Sequence, residues 1–107
     1  MHGPSSTLAR VSDVARARIE RIRAALSALD PSALQITDES HLHRGHAGAR
    51  GGAGHFRVRV VSAVFSGRPR VARHRLVYDA LADEMGGEIH ALALVTLTPD
   101  EARAADA

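Results

Sequence analysis

The sequence contains no cysteine, no tryptophan and no lysine. The first absence removes any disulfide framework and any thiolate ligand, and it fits a reducing compartment. With no tryptophan and aromatics at only 3%, the core has to be aliphatic. The lack of lysine accounts for a sequence pI of about 10.4. All fourteen basic residues are arginine, so nothing basic titrates near pH 10 and a net charge of only +2 persists to high pH. That pI is therefore poor support for a polyanionic partner. No run approaches the ~18 apolar residues of a membrane span, and "MHGPSSTLARVSDV" lacks the apolar segment of a secretory signal. A soluble, cytoplasmic protein with no membrane partner is expected. Residues 1–23 share their arginines, serines and scarcity of acids with transit peptides, but helical spacing accounts for them better. A chain of 107 residues builds one small domain.

Residues 1–11 read as a disordered lead, with a single domain over 12–104. From Ser12 as N-cap, Ile19, Ile22, Leu26 and Leu29 recur at helical spacing among Arg16, Arg18, Arg21 and Arg23, until Asp30-Pro31 stops the pattern. Two alternating segments follow. In one, Leu34 and Ile36 oppose Gln35 and Thr37; in the other, Phe56, Val58 and Val60 oppose Arg57 and Arg59. Between them "SHLHRGHAGARGGAG" is too polar and glycine-rich for regular structure and long for a hairpin connection. A second helix is expected over 71–85, with Val77, Tyr78, Leu81 and Met85 as its apolar stripe and Gly86-Gly87 as its stop. In "GGEIHALALVTLTPDE" a strand puts Ile89, Ala91, Ala93 and Val95 on one face and His90, Leu92, Leu94 and Thr96 on the other. Thr98, Pro99 and Glu101 then form a capping box for a last helix. The order α-β-β-α-β-α predicts an α/β (α+β) fold. Its first two strands pair antiparallel, the third joins by a parallel crossover, and helices cover the mixed three-stranded sheet.

His41, His43 and His46 in the long loop, with His55 at the next strand, bring several imidazoles within reach of one ion. That spacing alone is a weak signal, because no carboxylate or thiolate completes a four-ligand site. His90 admits two readings, a hydrogen-bonded structural histidine or an exposed ligand at the entrance of a strand. Arg68, Arg70, Arg73 and Arg75 gather around the start of the second helix, where cations oppose the helix dipole. A phosphate or an acidic partner would reward such a patch. His74, on the stripe of Val77 and Tyr78, reads as packed. Ser40 near His41 and His43 has neither a nucleophile elbow nor an acidic orienter, so hydrolytic catalysis is set aside and no enzyme activity is expected.

Taken together, "TDES", the histidine-bearing loop, "HFRVRVVS", "FSGRPRVARHRLVYDALADEM" and "IHALALVTLTPDE" resemble the BolA-like protein family from about Arg16 to Glu101. The resemblance implies a fold related to the class II KH domain, with "FSGRPRV" where true KH domains carry a G-x-x-G nucleic-acid loop. It also implies a monothiol glutaredoxin as partner, in a heterodimer that bridges a [2Fe-2S] cluster together with glutathione. In that family the histidine of "IHAL" is a ligand, which corresponds to His90. A second ligand comes from the loop after "ES". With no cysteine here it has to be histidine, His43 by position and His46 as the second choice. The isolated chain is then expected to hold no cluster and to be a monomer or weak homodimer. The family is also credited with DNA-binding transcriptional regulation, which would use the Arg68–Arg75 patch.

Overall fold

The computed structural model describes residues 6–39, 54–85 and 89–107. Six elements run α1 (Ser6–Leu26), β1 (Ala33–Asp38), β2 (Gly54–Val61), α2 (Arg70–Ala80), β3 (Ile89–Leu97) and α3 (Pro99–Asp106). The sheet order is β1-β2-β3. β1 pairs antiparallel with β2, and β3 lies parallel to β2 after the crossover through α2. The expected order and pairing are thus observed.

α1 begins at Ser6, not at Ser12. No glycine or proline interrupts the chain between Pro4 and Asp30, and an interior serine is too weak a breaker to open a helix alone. Residues 6–11, expected as part of a disordered lead, are helical. The far end behaves as the sequence suggests. A 3₁₀ turn over Ser27–Leu29 closes on Asp30, which takes the left-handed conformation at φ 48° and donates its N–H to the Ser27 carbonyl at 3.0 Å. Aspartate tolerates that region better than most residues.

The core lies between one sheet face and the first two helices. Ile22 and Leu26 of α1, Val77 of α2, Leu81 just beyond it and Phe56, Val58 and Val60 of β2 are buried together with Phe65. Ser62 joins three parts of the fold. Its hydroxyl donates to the Leu29 carbonyl at 2.6 Å and accepts from the Val64 amide, while its own amide donates to the Leu97 carbonyl at 2.9 Å. Gly67, at φ 75°, turns the chain into α2 where a side chain would be strained.

α2 ends at Ala80 rather than at 85. Leu81 and Met85 still pack on the core, because non-helical turns bury apolar residues as well as a helix does and apolar spacing does not separate the two. Gly86-Gly87 lies outside the described residues. Tyr78, expected in the apolar stripe, is 40% exposed, since it lies about 100° round the helix from buried Val77.

α3 sits on the other sheet face and opens with the expected capping box. The Glu101 amide donates to Thr98 Oγ1 at 3.2 Å, and the Thr98 amide donates to Glu101 Oε1 at 2.9 Å.

Candidate metal centre at the loop end of the sheet

Strand pairing decides what lies at each end of the sheet. Gly54 pairs with Ile89 and His55 with Ala91, so one step along β2 matches two along β3 and His90 is the extra residue of a bulge. The bulge explains a departure from simple alternation. Ile89 is fully buried in the core, yet Leu92 and Leu94 also pack inward while Ala91, Ala93 and Val95 are exposed. Leu92 lies three positions beyond Ile89, an odd step that only an inserted residue reconciles with a period of two. The start of β3 is held firmly. The Ile89 amide donates to the Glu84 carbonyl at 3.0 Å, and Met85 bridges to Ile89.

The same end of the sheet anchors both sides of the histidine-rich segment. The Glu39 amide donates to the His55 carbonyl at 2.7 Å, and Arg57 Nε donates to Glu39 Oε2 at 3.0 Å. Glu39 and Gly54, which flank residues 40–53, therefore both lie at the end of the sheet where β3 begins. His41, His43 and His46 themselves lie outside the described residues, and only the backbone of His90 is described. His55 is half-buried in β2. Among the described residues no three ligating side chains are gathered into a metal site.

The arginine patch is elsewhere. α2 runs back along the sheet, so its first turn lies at the end of β3 away from His90. Arg73 Nη1 donates to the Thr96 carbonyl at 3.2 Å. Thr96 is six residues beyond His90, about 20 Å along an extended strand. Arg73 is also committed internally. Its guanidinium holds Glu101 through Nη1–Oε1 at 2.6 Å and Nη2–Oε2 at 3.1 Å, and Nε donates to the Arg68 carbonyl at 2.7 Å. With its side chain only 13% exposed, it is a brace between α2, β3 and α3. The hydrophobic-to-charged ratio of "GRPRVARHR" gives no hint of this, but Glu101 in a capping box is a signal that an N-terminal carboxylate sits ready for a cation. Arg68, Arg70 and Arg75 are exposed, with Arg68 Nε donating to the Val64 carbonyl at 2.9 Å. His74 is half-buried.

The brace has a pH signature. Hydrogen bonds from Arg73, then from the Thr98 amide, hold the Glu101 carboxyl down from 4.5 to about 2, and the same pair raises Arg73 above its ordinary value. A carboxyl with a depressed folded-state pKa adds stability that is fully present above pH 4.5 and lost as pH falls toward about 2. Glu101→Gln keeps a capping oxygen but loses the charge. Its melting temperature should fall below that of the parent at neutral pH, and the gap should close as both are acidified through that window. A gap that does not change with pH would show that the charge is not what matters.

The profile of the family described as BolA-like protein matches residues 26–101. SufE-like protein 1, chloroplastic/mitochondrial, of Arabidopsis thaliana is 49% identical over 78 residues, which cover 68% of this chain and 21% of that protein. Human BolA-like protein 1 is 49% identical over 76 residues, covering 71% of this chain and 53% of that one. The chain thus spans about a fifth and about half of the lengths of these two relatives. Among solved structures, the BolA domain of SufE1 from Arabidopsis thaliana superposes with a TM-score of 0.67 at 46% identity, covering 77% of this chain and 92% of that one. BolA1 from Mus musculus gives 0.66 at 45% identity, covering 80% and 68%. In sequence and in fold, the chain belongs to the BolA-like protein family.

Proposed function

We propose that this chain is a non-catalytic partner protein that shares a [2Fe-2S] cluster with a monothiol glutaredoxin and glutathione, in cluster trafficking or in iron and redox regulation. The observation that carries the reading is the bulge. It sets the backbone of His90 at the sheet end where the loop bearing His43 and His46 leaves and returns. Two imidazoles from these positions fit a cluster whose remaining ligands are the partner's thiolates, and they suit a chain without cysteine. When bound, the cluster supplies one-electron chemistry, and imidazole in place of thiolate raises its potential, as in Rieske centres. The chain's own part is to hold His90 on a strand pinned at Ile89 and to present the loop beside it. A cytoplasmic location belongs to the same proposal. Among the described residues no helix is long and apolar enough to cross a membrane.

The test is anaerobic reconstitution with iron, sulfide and glutathione, for the chain alone, for a monothiol glutaredoxin alone and for the pair. The expected result is no stoichiometric cluster on the chain alone, and a pair whose visible absorption and circular dichroism differ from those of the glutaredoxin. A stoichiometric cluster on the isolated chain, or a pair indistinguishable from the glutaredoxin, would contradict the proposal.

The exposed arginines take a secondary part in this reading. A standard interface of about 800 Å² per partner reaches about 15 Å from its centre, so Arg68 and Arg70, at the sheet end about 20 Å from His90, fall at or just outside the rim of one centred there. Rim charges act on encounter more than on residence. Reversing Arg68 and Arg70 to Glu is expected to slow association severalfold at low salt and to leave dissociation and the cluster spectrum unchanged. Stopped-flow mixing at two ionic strengths checks it. The alternative, DNA binding, has Arg68, Arg70 and Arg75 to use, because Arg73 is taken. It would show a log–log salt slope near about −3 for three phosphate contacts.

A further inference from the structure

We infer that the outer edge of β3 is a self-association surface, where a second copy of this chain pairs β3 with β3 antiparallel about a two-fold axis at Ala93. Among the described residues β3 is an edge strand of the sheet, with β2 on one side and, on the other, only the Met85 bridge at Ile89. The Ser62 amide donates to the Leu97 carbonyl. Backbone direction alternates along a strand, so Ala93, Val95 and Leu97 address β2 while Leu92, Leu94 and Thr96 point their N–H and C=O groups outward. The Thr96 carbonyl confirms the parity, since it accepts from Arg73 and not from β2. Leu92 and Leu94 have no backbone partner beyond the sheet among the described residues.

Edge strands are normally protected by charge, proline or shortness. β1, the opposite edge, is six residues long and carries Asp38. β3 is nine residues long, and "IHALALVTL" contains neither an acid, nor an arginine, nor a proline.

The second copy fits because the strand is complementary to itself. An axis at Ala93 sets Leu92 opposite the partner's Leu94 as a doubly hydrogen-bonded pair, and the same on the other side. Ala93 meets its own copy at a narrow, non-hydrogen-bonded position, where Cα atoms approach to about 4.5 Å and a small side chain is favoured. Val95, 40% exposed, meets exposed Ala91 of the copy on the open sheet face. The half-buried leucines meet on the helix face. Every cross-strand pair is apolar and none is like-charged. Arg73 on the Thr96 carbonyl limits pairing to the 91–95 stretch. So short a contact makes a weak dimer, with a dissociation constant on the order of 100 μM. Symmetric pairing of this kind closes as a dimer.

The experiment is sedimentation velocity of the full chain up to about 1 mM, because a weak dimer shows only through protomer concentration. Ala93 is exposed, so Ala93→Lys and Ala93→Glu should fold, as melting curves will show. Each alone should dimerise at least ~10-fold more weakly, from like charges set directly opposite, and an equimolar mixture should regain a dimer. Amide exchange on the parent chain gives a second readout, with Leu92 and Leu94 slowing as concentration rises, and it stands even if a variant fails to fold. A monomer throughout the range, a dimer indifferent to charge at Ala93, or concentration-independent exchange at Leu92 and Leu94 would each overturn the inference.

Discussion

Phe65→Ala is expected to lower folding stability by about 3–5 kcal/mol, the range for truncating a buried aromatic. Phe65 is the largest of the fully buried side chains. It belongs to a chain with only two phenylalanines, one tyrosine and no tryptophan, so apart from Phe56 the core around it is aliphatic. Its position makes relaxation harder still. It ends the 3₁₀ turn Ala63–Phe65 between β2 and α2, where Ser62 accepts from the Val64 amide and the Phe65 amide donates to the Ser62 carbonyl at 3.2 Å. The turn is tied to the 3₁₀ turn after α1 through the Leu29 carbonyl and to β3 through Leu97, so its backbone cannot follow the shrinking side chain inward. With total stabilities of small domains near 5–15 kcal/mol, such a loss would leave a large part of the population unfolded at modest denaturant. Urea titration followed by circular dichroism checks it, and a loss below about 1 kcal/mol would show that the core collapses around the site.

His90→Ala is expected to give the largest functional change. The bulge is formed by backbone pairing of Gly54 with Ile89 and His55 with Ala91, and the buried residue that pins it is Ile89. Alanine at position 90 should therefore leave the fold intact. What it removes, on the proposed function, is a cluster ligand. The variant is expected to lose cluster from the mixed complex ~10-fold faster or more, since even outer-shell changes at metal sites cost 10- to 100-fold. Anaerobic dilution followed at the visible absorption bands measures this. A variant that fails to fold would make His90 a structural residue, and one that keeps the cluster at the parent rate would remove it from the site.

Local chemistry is where the sequence was most readable. Thr98-Pro99-Asp100-Glu101 carries its own capping box, and Phe56, Val58 and Val60 alternate with arginines as a half-covered strand must, so both elements follow from residues that neighbour one another. The misreadings come from contacts between distant residues. Strict alternation in β3 put Ile89 with Ala91, but pairing to β2 inserts His90 as a bulge, and no local pattern announces a register shift. Arg73 read as one cation among four, whereas its meaning depends on Glu101, 28 residues away. The ends of the helices moved for a related reason. Ser12 is a good cap only where a helix has cause to start, and Leu81 and Met85 keep helical spacing after the helix has ended. As for the site, spacing alone left His90 open between structure and ligation. The family resemblance pointed to ligation, and topology adds that the histidine-bearing loop is anchored at the same end of the sheet.

The claim that this chain brings histidine nitrogen to a shared cluster is tested most directly by pulsed electron paramagnetic resonance. The sample is the reduced complex with a monothiol glutaredoxin, in which only this chain carries ¹⁵N-histidine. The account predicts couplings from two histidine nitrogens, one lost in His90→Ala and the other lost in His43→Ala or, failing that, in His46→Ala. A reduced complex showing no coupling to labelled histidine would contradict it.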